Sequence, residues 1–133
     1  WYPTLAKPSW TPPSWLFGPV WTALYLAMAV AAFLVWRRLS ADALGRWWTR
    51  SMHTPLGLYA AQLVLNALWS VLFFGMRAPG AALIEIVLLL VAIIATGVSF
   101  ARVSRAAGLL FVPYAAWVAF ATALNASLWW LNR

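Results

Sequence analysis

Cysteine is absent from this 133-residue sequence, the acids number two and histidine occurs once. Without thiols, disulfides, thiolate metal sites and thiol nucleophiles are excluded, and the redox compartment stays undetermined. The two acids, Asp42 and Glu85, lie far apart in sequence, so paired-carboxylate chemistry is unsupported. His53 stands beside Thr54-Pro55 with no clustered carboxylates, and reads as a surface residue rather than a metal ligand or base. No glycine-rich loop of the phosphate-cradling kind occurs. Charge is also scarce, at 8% of residues, where soluble domains carry about 25%.

What fills the chain is apolar surface: 65% of residues are hydrophobic and the mean hydropathy is +0.84. A single soluble core of this size could not hide so much, and apolar runs of ~18 residues or more with few charges are candidate membrane spans. The sequence predicts an all-α, polytopic membrane helical bundle, in one transmembrane domain over residues 1–133. The formal net charge of +7 comes from basic residues between the apolar runs. Anionic headgroups and control of topology account for them better than nucleic acid does. No cleavable signal peptide is visible and the first residue is not Met, so a preceding portion is expected.

The chain opens on a stretch, residues 1–22, with five prolines and four tryptophans. Pro3, Pro8, Pro12 and Pro13 forbid a regular helix and favour a stiff extended loop, whereas Pro19 suits a first helical turn. Such a loop carries large rings that serve either as a lid over a ligand or as an interfacial collar. Helices are expected over about 19–36, 55–76, 81–101 and 106–130, the first stopped by Arg37-Arg38 and the second capped by Thr54-Pro55. Between the first two lies a polar loop, Arg37 to Thr54, with a short interfacial turn near Ser40 to Leu44. Arg77-Ala78-Pro79-Gly80 reads as a tight turn, and Pro113 as a kink. Arg37, Arg38, Arg46, Arg50, Arg102 and Arg105 gather on one side, which the positive-inside rule makes cytoplasmic; Lys7, Arg77 and Arg133 fall on the other.

Helical spacing selects candidate residues. Trp21, Tyr25 and Met28 share a face, as do Gln62, Asn66, Trp69 and Phe73, and then Trp117, Ala121, Asn125 and Leu128. Gly57 and Ala61 form a small pair suited to close helix approach. Glu85 is the single acid inside an apolar run; about a turn and a half from its helix start, it is placed within reach of water or headgroups, and Ile86 to Ile94 reads as lipid-facing. Trp10, Trp21, Tyr25, Asn66, Trp69, Trp117 and Asn125 are what a flat, mostly apolar ligand needs, rings for stacking and amides for orientation. The same residues would equally serve to pack helices together.

Trp1-Tyr2, Leu5, Lys7-Pro8, Trp10, Pro12-Pro13, Trp15, Phe17 and Pro19-Val20-Trp21-Thr22 with Leu24-Tyr25 and Met28 resemble a loop and second helix of the TspO/MBR family. The likeness continues through Gln62-Leu63-Val64-Leu65-Asn66-Ala67-Leu68-Trp69-Ser70 and Phe73-Phe74-Gly75, and through Phe111-Val112-Pro113-Tyr114-Ala115-Ala116-Trp117 with Ala121-Thr122 and Leu124-Asn125. This family holds tryptophan-rich sensory proteins and mitochondrial translocator proteins. The resemblance implies five membrane helices, of which this chain matches the second to fifth. It implies a homodimer, and a pocket closed by the first loop that binds porphyrins such as protoporphyrin IX and isoquinoline carboxamides, with no required cofactor. It places Trp10 over that pocket and Trp21, Tyr25, Asn66, Trp69, Trp117 and Ala121 on its walls.

The end of the chain departs from the animal members, whose cholesterol-recognition pattern has a tyrosine before a basic residue. Leu124 to Arg133 has the Arg without the Tyr, so weak or no cholesterol recognition is expected, in a bacterial envelope protein. The loop Arg37 to Thr54 is long for the family. Three functions follow from the resemblance: a tetrapyrrole sensor or regulator; light- and oxygen-dependent porphyrin degradation with Trp21 as electron partner; and porphyrin transport.

Overall fold

The computed structural model describes residues 6–7, 9–11, 16–42 and 52–132. Four helices account for nearly all of them: α1 (Phe17–Asp42), α2 (His53–Ser70), α3 (Pro79–Val103) and α4 (Arg105–Asn132). No strand occurs among the described residues. The apolar spans Gly18–Ser40, His53–Phe73, Gly80–Val103 and Arg105–Asn132 run 21 to 28 residues. At ~1.5 Å per residue each covers the ~30 Å hydrocarbon core. The fold is a helical membrane bundle.

α3 and α4 form a tight hairpin. Ser104 breaks the helix with an extended backbone (φ −145°, ψ 118°), and its Oγ accepts a hydrogen bond from the Ala107 amide at 3.4 Å. Close approach here needs glycine. A Cβ at Gly108 would lie 2.5 Å from the Ala101 Cβ, and one at Gly97 3.3 Å from the Phe111 Cβ. α3 also packs on α2, and α1 lies against α4, while α1 meets α2 only over a short stretch. The shared core holds Met28, Val35, Phe73, Ile86, Leu89, Ile93, Phe100, Phe111, Tyr114 and Leu128.

Several elements differ from the sequence expectation. α1 continues through Arg37 and Arg38 to Asp42. Arginine is a good helix former whose long stem lets its charge snorkel toward water, and the Arg37 guanidinium lies 5.8 Å from the centre of the Phe33 ring. α2 begins at His53, behind an N-cap at Met52 that makes no side-chain cap bond, so Thr54 lies inside the helix. It ends in a π-helical segment, Val71–Gly75, in which the Met76 amide donates to the Val71 carbonyl at 2.7 Å. Arg77, at φ 51°, then turns the chain into α3. Pro113 falls inside α4, as expected.

The run Ile86 to Ile94 is not uniformly lipid-facing. Ile86, Leu89 and Ile93 are buried, while Val87, Leu88, Val91 and Ile94 face outward. A helix apolar all round offers no polarity contrast, so its inward face cannot be read from hydropathy. Gly57 and Ala61 mediate no approach among the described residues: both are exposed, and a Cβ at Gly57 would meet none of them within 4 Å. The interfacial turn near Ser40 to Leu44 is replaced through Asp42 by α1, and its remainder lies outside the described residues. Trp1, Pro3, Pro8, Pro12, Pro13, Trp15, Arg46 and Arg50 lie outside them too.

Candidate functional site

A buried hydrogen-bond chain joins three helices at the centre of the bundle. Tyr25 of α1 donates from its hydroxyl to Asn66 Oδ1 of α2 at 3.1 Å. Asn66 Nδ2 donates to the Tyr114 hydroxyl oxygen of α4 at 2.7 Å, and that hydroxyl donates to Gln62 Oε1 at 2.7 Å. Gln62 Nε2 donates to the Met28 sulfur at 3.7 Å, returning the chain to α1. Gln62, Asn66 and Tyr114 are buried, so no solvent competes for these groups. The pattern follows from spacing: Gln62 and Asn66 stand one turn apart on α2, and Tyr25 and Met28 nearly one turn apart on α1.

Tyr25 is the exception to this burial, with 45% of its surface exposed. The Trp21 ring lies beside it, centroids 5.7 Å apart and tilted by 31°, and meets Tyr114 edge-on at 6.4 Å. Trp21, Tyr25 and Asn66 are therefore brought together as the sequence suggested, in one cluster of ring faces and oriented amides.

The other predicted residues fall into two further groups. Trp69 donates its indole N–H to Asn125 Oδ1 at 3.0 Å and stacks on Phe73 at 5.2 Å, a second tie between α2 and α4. Trp10, from the proline-rich segment, packs edge-on against Phe120 at 5.4 Å, and Trp117 lies 5.7 Å from that same ring. Half-buried Ala121 sits beside Phe120 on the core side of α4. Trp10 thus rests on α4 rather than on the Trp21–Asn66 cluster. Paired hydrogen bonds from Asn132 hold the same segment: the Ala6 amide donates to Asn132 Oδ1 and Asn132 Nδ2 to the Ala6 carbonyl, both at 2.9 Å.

Two clefts flank this arrangement. One, of about 660 Å³, runs beside Trp10, Leu83, Ser127 and Trp130. The other, of about 570 Å³, lies between α1 and α4 along Val20, Leu24, Pro113 and Trp117. Both fall in the ~300–1,000 Å³ range of small-molecule sites.

Sequence reasoning passed over the residue at the hub. Tyr114 was visible in the motif Phe111-Val112-Pro113-Tyr114 but carried no role. Its signal was a tyrosine placed mid-span, away from either interface, where a phenol must find a partner. Gln62 was placed on the right face without being counted in the site. Glu85 is more deeply buried than its distance from the helix start suggested, at 6% exposure. Both its carboxyl oxygens lack a hydrogen-bond partner among the described residues. No cluster of three or more potential metal ligands occurs among the described residues.

The profile of the TspO/MBR family matches residues 1–131. The chain is 48% identical to the tryptophan-rich protein TspO of Chlorobaculum tepidum, over 98% of this chain and 78% of that one. It is 46% identical to the translocator protein of Homo sapiens, over 97% of this chain and 73% of that one. It is 41% identical to protein CrtK of Rhodobacter capsulatus, over 99% of this chain and 78% of that one.

Proposed function

The chain belongs to the TspO/MBR family, and on that premise we propose that it is a multi-pass membrane protein that binds tetrapyrroles and senses or regulates them. The observation that carries this reading is the Trp21–Tyr25–Asn66–Tyr114 cluster. Its polar groups are ordered and internally paired, yet Tyr25 stays exposed at one end beside a tryptophan face. A flat, apolar ligand is served by such a surface, stacking on the rings and taking one hydrogen bond for orientation. On this reading Trp10, Trp69, Trp117 and Ala121 complete the walls, and protoporphyrin IX is the ligand of first choice, bound without any cofactor. The protein works as a homodimer in lipid, with its arginines on anionic headgroups rather than nucleic acid, and with weak or no recognition of cholesterol. Its compartment is a bacterial envelope membrane.

One observation favours a second reading. Trp21 lies within 5.7 Å of Tyr25 and 6.4 Å of Tyr114, a geometry over which an oxidised ring could pass its electron vacancy inward during light-driven porphyrin breakdown.

The deciding experiment is a protoporphyrin IX titration in detergent, in darkness, followed by tryptophan quenching. Saturable micromolar quenching that weakens several-fold in Asn66→Ala, which removes the partner that holds the Tyr25 hydroxyl in place, supports the site. Unsaturable quenching indifferent to Asn66 would mean that porphyrin only partitions into the micelle. Illumination then separates the readings: bleaching that fails in Trp21→Phe marks degradation, and flux in sealed vesicles marks transport.

A further inference from the structure

The α3–α4 hairpin carries a groove of about 420 Å³, lined by α3 from Ile93 to Ala101 and by α4 from Arg105 to Ala115. Gly97, Ala101 and Gly108 lie along it, where the helices approach so closely that a Cβ at Gly108 would meet the Ala101 backbone at 2.8 Å. Taller neighbours flank these small residues: Val98 on α3 and Leu109 and Val112 on α4 are each at least half exposed. Along α4 the lining extends ~15 Å at ~1.5 Å per residue, which is one leaflet of a ~30 Å hydrocarbon core. Arg105 is the single polar side chain in the lining and stands at its end, where α4 begins. Arg102 lies just across the Ser104 break. Both arginines are exposed, and neither has an ion-pair partner among the described residues.

We propose that this groove binds one anionic phospholipid, with an acyl chain lying along Gly97, Val98 and Val112 and the phosphate held by Arg105 with Arg102 beside it. An apolar furrow one leaflet long matches the chain, and a guanidinium fork at its end matches two phosphate oxygens. Charge argues against a second copy of the protein as the occupant. Two copies side by side in one membrane, related by a twofold axis, would bring both sets of Arg102 and Arg105 to the same depth, like charge facing like charge. The other acid described on these two helices, Glu85, lies ~25 Å back along α3 and could not neutralise them. A defined site of this kind goes beyond the general attraction of arginines to headgroups. It is also independent of the tetrapyrrole reading, since Trp21, Tyr25, Asn66 and Tyr114 do not line the groove.

The test places the full chain in bilayer nanodiscs of phosphatidylglycerol and phosphatidylcholine with identical acyl chains, mixed in equal parts. Native mass spectrometry then identifies the lipid retained. Wild type should keep a single phosphatidylglycerol, favoured about tenfold or more over phosphatidylcholine. Arg105→Gln should cut that preference about tenfold, the size of one charge-assisted hydrogen bond. Arg105→Lys keeps the charge without the fork and should retain part of the preference. Arg38→Gln removes the same charge from an exposed position on the same side of the membrane, outside the groove, and should change it less than about twofold. Val98→Phe narrows the groove from its lipid-facing wall and should lower retention of both lipids with the helical circular dichroism unchanged.

Equal retention of the two lipids in wild type overturns the site. So does an equal loss in Arg105→Gln and Arg38→Gln, which would mean that the anionic lipid answers only to overall charge. Retention unchanged in Val98→Phe, or a shift of the monomer–dimer ratio in its place, overturns the groove as the seat of the acyl chain. Should Arg105→Gln fail to fold, Arg105→Lys against Arg38→Gln decides the same point. Protoporphyrin IX quenching on these samples keeps the two claims apart: its absence removes the tetrapyrrole reading and leaves the lipid result standing.

Discussion

Replacing Tyr114 with Phe deletes one oxygen and leaves the ring. The ring packs edge-on against Phe111 at 5.8 Å and Trp21 at 6.4 Å, so Phe keeps those contacts and opens no cavity. What disappears is a hydroxyl that both accepts from Asn66 and donates to Gln62, each at 2.7 Å. Two buried groups lose a partner, which in a soluble core costs about 1–3 kcal/mol apiece. Within membrane bundles the measured mean is nearer ~0.6 kcal/mol per bond, because displaced groups find other partners. Here Asn66 keeps its bond from Tyr25 and Gln62 its bond to Met28. The expected net loss is therefore about 1–2 kcal/mol. The assay is reversible unfolding in mixed micelles with a rising fraction of denaturing detergent. Tyr25→Phe is the control, since Tyr25 is half exposed and its bond longer, and it should cost only ~0–0.5 kcal/mol. A Tyr114→Phe loss no larger than that of Tyr25→Phe would refute the hub. So would strict additivity with Gln62→Leu in a double-mutant cycle.

Two other substitutions test the packing. Gly108→Val should lower stability by about 2 kcal/mol or more in the same unfolding assay, because the new Cβ meets Ala101 backbone and side chain at 2.8 and 2.5 Å. Gly57→Ala, with open space around it, should be neutral or stabilising by up to ~1 kcal/mol; a reversed order would contradict the α3–α4 hairpin. Glu85→Leu should raise stability by about 1–2 kcal/mol, since it replaces a buried carboxyl with no hydrogen-bond partner among the described residues. A clear loss of stability in Glu85→Leu would show that the carboxyl has a stabilising partner.

The four spans were legible because hydropathy contrast is strongest where apolar runs meet arginines and Pro-Gly turns. The face Gln62, Asn66, Trp69, Phe73 was legible for a related reason: amides in an apolar helix stand out, and their steps of four and three fix the face. All four are buried. Tyr114 failed the same test because aromatic residues are abundant throughout this chain, and a ring's role depends on what its hydroxyl reaches. Arg37 and Arg38 misled because arginine is a good helix former, and α1 runs through both to Asp42. Gly57 and Ala61 misled because a small pair along one helix says nothing about its partner; the working contact is Gly108 against Ala101, across the hairpin. Glu85 looked accessible from its place along α3, and rotation about the axis turned it inward.

The wide turn at the end of α2 has a bearing on how this chain can change length. Between Val71 and Gly75 the backbone accommodates one residue more than an α-helical turn would, and the stack of Phe73 on Trp69 survives within it. Loss of a single codon there would tighten the turn to ordinary α-helix and leave the angular phase of Gln62, Asn66 and Trp69 intact. The same deletion in the middle of α3 would rotate everything beyond it by ~100°, carrying Ile93 out of the core and bringing lipid-facing neighbours in. Length variation among related chains should accordingly gather at this turn and avoid α3.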